Sequence, residues 1–214
     1  MTGKTTSYEP INKDIKTRIK ICGLKTPKDI ELINEAHPDY CGFIVNFPPS
    51  HRSKTEEEVK TLVKKLDPSI LSVGVFVDPD PSLVIRMLQE GVIQLAQLHG
   101  NESDDTVLRI QNETKAGVIK AYIIRDKEDV KRAAASVADY ILLDKGRGEG
   151  AVFDWSLIRD LDRPYFLAGG LDTTNLSEAI ETLHPFAVDI SSGVETDRFK
   201  DPDKVRMVMK LTGR

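Results

Sequence analysis

Two residues with reactive side chains end short apolar runs that lie far apart in this sequence. Cys22 ends "RIKIC", which begins at Arg18, and Asp144 follows "YILL", which begins at Tyr140. A thiolate can accept a proton, and a carboxylic acid can donate one. We interpret the pair as the base and the acid of one proton-transfer reaction. The alternatives are a small buried cysteine without a chemical role and an aspartate that caps or solvates a strand end.

Two further side chains are candidates for binding a substrate. Arg52 lies in "NFPPSHRS", where its planar guanidinium could bind a carboxylate through two parallel hydrogen bonds. The alternative is a solvated loop charge. His99 follows the apolar run "IQLAQL" and is the only one of the four histidines placed for the same site. The histidines have no metal-ligand spacing, so we expect no metal centre.

Two glycine-rich segments near the end of the chain are candidates for phosphate binding. "AGGL" begins at Ala168 and "SSGVE" begins at Ser191, each directly after an apolar run. Backbone N–H groups in such turns can bind a phosphate, although the glycines could also serve only as turns. The candidate phosphate-binding residues are Gly169, Gly170, Ser191, Ser192 and Gly193.

Eight apolar runs are available to position these residues. They are rich in β-branched residues, too short for helices and too continuous for surface strands, which is typical of buried parallel strands. They span residues 18–22, 40–47, 71–78, 93–100, 117–124, 140–145, 164–171 and 186–193.

Helix-start signals separate the runs, as in Thr26-Pro27, Thr55 with Glu58, Asp80-Pro81, Asp172-Thr173 and Asp201-Pro202. Eight strands alternating with helices predict an α/β fold, a single (β/α)₈ TIM barrel over residues 18–214. Residues 1–17 are predicted to be a flexible N-terminal extension. An open doubly wound sheet is the alternative, but the first strand is not followed by GxGxxG. A TIM barrel carries its site at the C-terminal strand ends, where all the candidate residues lie.

Strand alternation makes two further predictions about the barrel interior. Lys20 and Cys22 share one face of the first strand, and Ile19 and Ile21 share the face toward the helices. Lys20 is predicted to pair inside the barrel with Asp189 of the last strand. Cys41 is placed at the start of its strand and Cys22 at the end of its own, about 10 Å or more apart, which predicts no disulfide.

Composition excludes several classes of protein. Hydrophobic residues make up 40% and charged residues 30%, a balance typical of a globular domain in water. The net charge of −4, with acids and bases mixed along the chain, gives no basic patch for nucleic acid. No apolar run is long enough to span a bilayer. The polar N-terminus lacks a signal-peptide core and two cysteines are no disulfide framework, so we expect a cytoplasmic protein.

The motifs, in order, closely resemble those of the phosphoribosylanthranilate isomerases of tryptophan biosynthesis. The resemblance runs from about residue 18 to the end, through "KICGL", "GFIVNFPPSHRS", "VGVFVD", "QLHGNE", "LLDK", "FDWSLI", "AGGL" and "PFAVDISSGVE".

The resemblance implies an Amadori rearrangement of a phosphorylated small molecule, with no cofactor. It places the catalytic cysteine on Cys22, the catalytic aspartate on Asp144 and the anthranilate-binding arginine on Arg52. It also places the phosphate loops on Gly169-Gly170 and Ser191–Gly193. The chemistry requires a protonated Asp144, which burial would favour, and a Cys22 thiolate, which Lys20 would favour.

Three other functions stay open at this point. Another sugar-phosphate isomerase or epimerase would keep the barrel and normally change the acid–base pair. The bifunctional isomerase of histidine and tryptophan synthesis has an aspartate at the first strand end, where this chain has Cys22. A non-catalytic barrel that binds a phosphorylated ligand would have no need of both Cys22 and Asp144. The sequence gives no prediction of the oligomeric state.

Overall fold

The computed structural model describes residues 16–146 and 154–214. Within them, eight parallel strands close into a barrel, because the first strand hydrogen-bonds with both the second and the last. The predicted single (β/α)₈ barrel is therefore confirmed. Strands are numbered in chain order, and the barrel consists of β1 (Arg18–Cys22), β2 (Tyr40–Val45), β4 (Leu71–Phe76), β5 (Leu95–Leu98), β6 (Gly117–Ile123), β7 (Tyr140–Asp144), β8 (Tyr165–Leu167) and β9 (Ala187–Ile190).

Three short strands lie outside the closed barrel. β3 (Ser53–Lys54) pairs with the end of β2 in the loop that carries Arg52. β10 (Glu195–Thr196) and β11 (Phe199–Lys200) form an antiparallel hairpin directly after the last barrel strand. β3 and the β10–β11 hairpin therefore lie beyond the C-terminal ends of barrel strands, where the candidate site residues are.

The helices cover the outside of the barrel. They are α1 (Pro27–Ala36), α2 (Glu56–Val63), α3 (Pro81–Gln89), α4 (Asp104–Thr114), α5 (Lys127–Ala134), α6 (Leu176–Leu183) and α7 (Pro202–Leu211). Between β7 and β8 the described residues contain a short 3₁₀ helix, Trp155–Leu157. None of the helices in the described ranges is long and apolar enough to cross a membrane.

Most of the predicted helix starts are confirmed. Thr26 and Thr55 each form a capping box, and Asp80 and Asp201 cap α3 and α7. The prediction for Asp172 is wrong, because α6 begins four residues later, after Asn175. The Asp172 carboxylate instead accepts hydrogen bonds from Thr174, in a turn that precedes the helix.

Several strands end earlier than the apolar runs suggest. β2 stops at Val45 and β4 at Phe76, each two residues short of its predicted end. Asn46 and Asp78 follow with φ angles of 48° and 47°. This left-handed conformation, which asparagine and aspartate tolerate, turns the chain out of the ladder. The apolar runs in the sequence correctly predicted where the strands lie, but they also included the first residues of the loops that follow the strands.

The two faces of β1 differ as predicted. Ile19 and Ile21 are fully buried in the layer between strands and helices, and Lys20 and Cys22 face the interior. The Lys20 ammonium contacts Asp189 Oδ1 at 2.9 Å, which confirms the predicted pair. Lys20 and Asp189 are direct neighbours in the register of β1 and β9. The ion pair therefore lies inside the barrel, between its first and last strands.

The two cysteines are free, but the predicted separation along the strands is wrong. The register pairs Cys41 with Ile21 and Gly42 with Cys22, so the cysteines lie one position apart in adjacent strands. Cys41 belongs to the layer beneath the helices, whereas Cys22 faces inward beside Lys20. Opposite faces, and not opposite strand ends, therefore keep the two thiols apart.

The predicted extension over residues 1–17 falls mostly outside the described residues. Thr17 Oγ1 donates a hydrogen bond to Pro185 O at 3.1 Å, and Lys16 Nζ donates to Gly213 O. The glycine-rich segment "GRGEG" after β7 is one that the sequence suggests could form a mobile lid, and it too lies outside the described residues from residue 147 onward.

Candidate active site at the C-terminal end of the barrel

The candidate residues meet at one end of the barrel. Cys22 and Asp144 end β1 and β7, and the two glycine-rich loops follow β8 and β9. The order of strands around this side of the barrel is β7, β8, β9, β1. Both candidate phosphate loops therefore lie between the candidate acid and the candidate base.

Cys22 lies in a buried, charged environment. Its side chain is beside the Lys20 ammonium, which is itself fully buried and paired with Asp189. Burial raises the pKa of the Cys22 thiol, and Lys20 only partly offsets this effect. Lys20 acts in the expected direction, since it lowers the pKa of the thiol, but burial has the larger effect because a buried thiolate loses its hydration.

Asp144 is held by hydrogen bonds to both of its carboxylate oxygens. The backbone N–H of Gly146 donates to Oδ1 at 2.9 Å, and His99 Nε2 lies 3.3 Å from Oδ2. Burial acts to raise the pKa of Asp144, but His99, Gly146 N–H and the nearby Lys145 together lower it below its ordinary value. Burial therefore acts in the expected direction on Asp144, but hydrogen-bond donors to the carboxylate outweigh it.

His99, which directly follows β5, lies between Asp144 and Gln97, a buried glutamine of that strand. Gln97 Nε2 lies 3.0 Å from His99 Nδ1, so one imidazole nitrogen contacts Gln97 and the other contacts Asp144. His99 was predicted to bind substrate, and in the structure it is a partner of Asp144. Gln97 was missed because it stands within an apolar run, where its direction depends on the barrel.

The loops after β8 and β9 are packed against each other. Gly169 and Gly170 have φ angles of 89° and 75°, a conformation that favours glycine. A Cβ at Gly193 would lie 2.0 Å from Leu171 O, so only glycine permits this approach of the two backbones. Among the described residues, nothing accepts a hydrogen bond from the backbone N–H groups of Gly169 or Gly170. These groups are consequently available to an anion.

A cavity of about 250 Å³ adjoins the first of these loops. Besides the loop, Lys145 and Trp155 contribute to its wall, and Asn175 Nδ2 donates to Gly170 O at 2.9 Å. A Cβ at Gly169 would lie 2.8 Å from Asp144 Oδ1, so the loop also borders the candidate acid. In contrast, the Ser191 hydroxyl donates to Cys22 O at 3.1 Å and ties the second loop to β1.

Arg52 extends across the end of β1 to a carboxylate that sequence reasoning did not single out. Its Nε and Nη2 contact the two carboxylate oxygens of Glu195 at 2.7 and 2.6 Å. Glu195 also contacts Lys200, whose side chain is buried. Glu195 stands within the quoted motif "PFAVDISSGVE", but its partner Arg52 is 143 residues away, and only the tertiary structure joins them.

Comparison with known proteins supports a single family. The family model described as "N-(5'phosphoribosyl)anthranilate (PRA) isomerase" matches residues 19–211. An N-(5'-phosphoribosyl)anthranilate isomerase from Endomicrobium trichonymphae is 38% identical over 199 residues, which cover 91% of this chain and 97% of that protein. The range that the family model matches spans the positions of all the candidate residues.

Solved structures agree in fold over almost the same length. The crystal structure of phosphoribosyl anthranilate isomerase from Thermotoga maritima has a TM-score of 0.84 at 36% identity and covers 92% of this chain and 98% of its own. The crystal structure of a phosphoribosyl anthranilate isomerase in complex with reduced 1-(o-carboxyphenylamino)-1-deoxyribulose 5-phosphate has a TM-score of 0.82 at 35% identity. It also covers 92% of this chain and 98% of its own. The chain belongs to the N-(5'-phosphoribosyl)anthranilate isomerase family.

Proposed function

We propose that this isomerase of tryptophan biosynthesis rearranges N-(5'-phosphoribosyl)anthranilate with Asp144 as general acid and Cys22 as general base. The product is 1-(2-carboxyphenylamino)-1-deoxyribulose 5-phosphate. The observation that carries the assignment is the strand order, which sets the two phosphate loops between the acid and the base. A substrate anchored there by its phosphate would present its sugar to both side chains.

The reaction requires two proton transfers on one sugar. Asp144 donates a proton to the ring oxygen as the bond from that oxygen to C1′ breaks, which leaves an iminium at C1′. Cys22 then removes the proton from C2′ to give an enolamine. The enolamine tautomerises to the aminoketose as C1′ gains a proton and the C2′ hydroxyl loses one. Each general acid–base step typically contributes about 10²–10⁴-fold to the rate.

The protonation states that this chemistry needs are not the favoured ones in the structure. Burial favours the Cys22 thiol, and donors to Asp144 favour its carboxylate. A substrate that covers Asp144 removes water from it and raises its pKa. The positive iminium, once formed, favours the thiolate of a neighbouring Cys22. Substrate binding and ring opening therefore each favour the state that the next step uses.

The two glycine-rich loops and Arg52 bind the two ends of the substrate. Backbone N–H groups of Gly169, Gly170 and Ser191–Gly193 bind the phosphate, and Arg52 binds the carboxylate of the anthranilate ring. His99 acts through Asp144, whose carboxylate it contacts. Two-point binding of this kind contributes by holding the reacting carbon between acid and base.

Two broader assignments accompany this function. We place the protein in the cytoplasm, because both cysteines are free and Cys22 must remain reduced to act as a base. Residues 1–17 are an extension outside the catalytic barrel, a proposal supported by the start of β1 at Arg18 and by a family match that begins at residue 19.

Direct assay tests the function and the acid–base pair together. Freshly generated N-(5'-phosphoribosyl)anthranilate loses its anthranilate fluorescence on rearrangement. Cys22→Ala and Asp144→Asn should each lower kcat by about 10²-fold or more while circular dichroism stays unchanged. Cys41→Ala is the matched control, since that thiol faces the helices, and it should keep near-normal kcat. Near-normal kcat in either of the first two variants would remove that residue from the mechanism.

A further inference from the structure

A buried charge cluster connects Arg52 to the hairpin after β9. Glu195 accepts two hydrogen bonds from Arg52, one from Nε at 2.7 Å and one from Nη2 at 2.6 Å. The Glu195 side chain is only 7% exposed and that of Arg52 17%. A bidentate pair of this kind fixes the plane of the guanidinium as well as its position.

Lys200 holds Glu195 in place from the other side. The Lys200 side chain is 1% exposed, and its ammonium contacts Glu195 Oε1 at 2.9 Å. It also donates to the carbonyl oxygens of Cys22 at 2.6 Å and Ser191 at 2.9 Å. Glu195 and Lys200 are paired in the register of β10 and β11, so the hairpin presents both charges together. The carboxylate that contacts Arg52 is thereby connected to the ends of β1 and β9.

The stem of Arg52 is also confined. A Cβ at Gly23 would lie 2.4 Å from Arg52 Cδ, so the arginine packs directly over the residue that follows Cys22. Gly23 has a φ angle of 84°, which favours glycine there on backbone grounds as well. Arg52 is therefore constrained along its length by Gly23 and at its head by Glu195.

The cluster leaves part of the guanidinium unused. Two cations and one carboxylate give a net charge of +1. Among the described residues, nothing accepts a hydrogen bond from Arg52 Nη1. A guanidinium has five N–H donors, and Glu195 uses one on Nε and one on Nη2. The edge formed by Nη1 and the second N–H of Nη2 can bind one more carboxylate in the same two-point geometry.

We infer that Glu195 is a positioning residue for substrate recognition, with Lys200 as its counter-ion. Glu195 fixes the plane of Arg52 so that the outer guanidinium edge is ready to bind the carboxylate of the anthranilate ring. Lys200 balances the buried negative charge of Glu195 and connects Glu195 to the backbone of Cys22. The distance between the Arg52 guanidinium and Cys22 is thereby kept fixed. This inference rests on the proposed role of Arg52 and adds a residue that acts through it.

Binding of two ligands that differ by one carboxylate tests the inference. The probes are reduced 1-(o-carboxyphenylamino)-1-deoxyribulose 5-phosphate and the same compound without the ring carboxylate, with Kd measured by calorimetry. Glu195→Gln keeps the shape of the side chain but cannot offer two anionic oxygens. It should weaken binding of the carboxylated probe by about 10-fold or more, the scale of a lost charge-assisted hydrogen bond, and leave the other probe nearly unchanged. Glu195→Asp, which keeps the charge but shortens the reach, should give an intermediate and equally selective loss.

Two comparisons separate this inference from the role of Arg52 and from a merely structural effect. Arg52→Ala should show the same selective loss, and Glu195→Gln should add none in that background. The control is Glu56→Gln, which breaks another two-point pair, with Arg86 on the surface, and should leave both Kd values unchanged. If Arg52→Ala weakens both probes equally, the proposed carboxylate site is wrong. If only Arg52→Ala is selective, and Glu195→Gln affects both probes equally or neither, the positioning role of Glu195 is wrong.

Discussion

Cys22 and Asp144 show how neighbours and burial compete at the scale of single residues. Cys22 has a cation beside it, yet burial prevails and raises the pKa of the thiol. Asp144 is partly buried, yet hydrogen bonds prevail and lower the pKa of the carboxyl. The difference follows from geometry, because the Asp144 oxygens receive donors directly, whereas the Lys20 ammonium is shared with Asp189. Residue type alone could not predict the direction of the pKa shift at Cys22 or at Asp144.

Titration of the thiol checks the state of Cys22. In a Cys41→Ala background, absorbance at 240 nm should show no thiolate at neutral pH and should rise only above pH about 8.5, the ordinary value for cysteine. The sign follows from the raised pKa, since a higher pH is needed to remove the proton. The Cys22→Ala, Cys41→Ala double variant supplies the baseline. Thiolate absorbance at pH 7 would contradict the dominance of burial over Lys20.

At the scale of elements, the site depends on two loops that touch. The approach of Gly193 to Leu171 O brings the loop after β9 against the loop after β8, and the Ser191 hydroxyl ties it to β1. The hairpin of β10 and β11 continues from the same loop and carries Glu195 and Lys200. One short segment after β9 therefore reaches the phosphate, carboxylate and base regions of the proposed site.

Gly193→Ala should separate the two candidate phosphate loops. The added Cβ would overlap a backbone oxygen, which cannot move aside as a flexible side-chain end could. We expect competitive inhibition by inorganic phosphate to weaken several-fold, with a matching rise in KM. Gly117→Ala is the control, because its Cβ would meet only ordinary contacts of 3.4 Å or more at the opposite end of the barrel. An unchanged inhibition constant in Gly193→Ala would place the phosphate elsewhere.

At the scale of the whole molecule, the closed barrel contains a buried ion pair at the seam between its first and last strands. Lys20 is fully buried, and the side chain of Asp189 is 8% exposed. Transfer of two charges out of water is costly, so such a pair contributes less to stability than its contact distance suggests. The larger effect appears when one partner is removed, because the other is then left buried and uncompensated.

Lys20→Met should lower the free energy of unfolding in urea by about 3–5 kcal/mol, the usual cost of breaking a buried pair. Lys20→Met combined with Asp189→Leu should recover part of this loss, since no unpaired charge remains. The control is Lys131→Met, which breaks a pair with Glu128 in which both side chains are more than 70% exposed, and should cost about 0–1 kcal/mol. If Lys20→Met and Lys131→Met lowered the free energy of unfolding equally, the interior of the barrel would be far better solvated than its burial indicates.

The sequence by itself determined the architecture and the end of the barrel at which the candidate residues lie. Eight apolar runs with helix-start signals between them are local patterns, and closing them into a barrel places Cys22, Asp144 and the glycine loops at one end. The Lys20–Asp189 pair also followed, because strand alternation and strand adjacency are both readable from the chain. The strand ends were less readable from the sequence, since both runs continue past the last ladder residues, Val45 and Phe76, toward the left-handed residues Asn46 and Asp78.

Only the tertiary structure decided how the side chains act on one another. The partner of Arg52 is Glu195, the partner of His99 is Asp144, and Cys41 lies beside the end of β1 and not far from it. Each of these depends on the register of strands and on contacts between residues distant in the chain. The directions of the pKa shifts at Cys22 and Asp144 depend on the same three-dimensional balance of burial and donors, because electrostatic interactions act through space and not along the sequence.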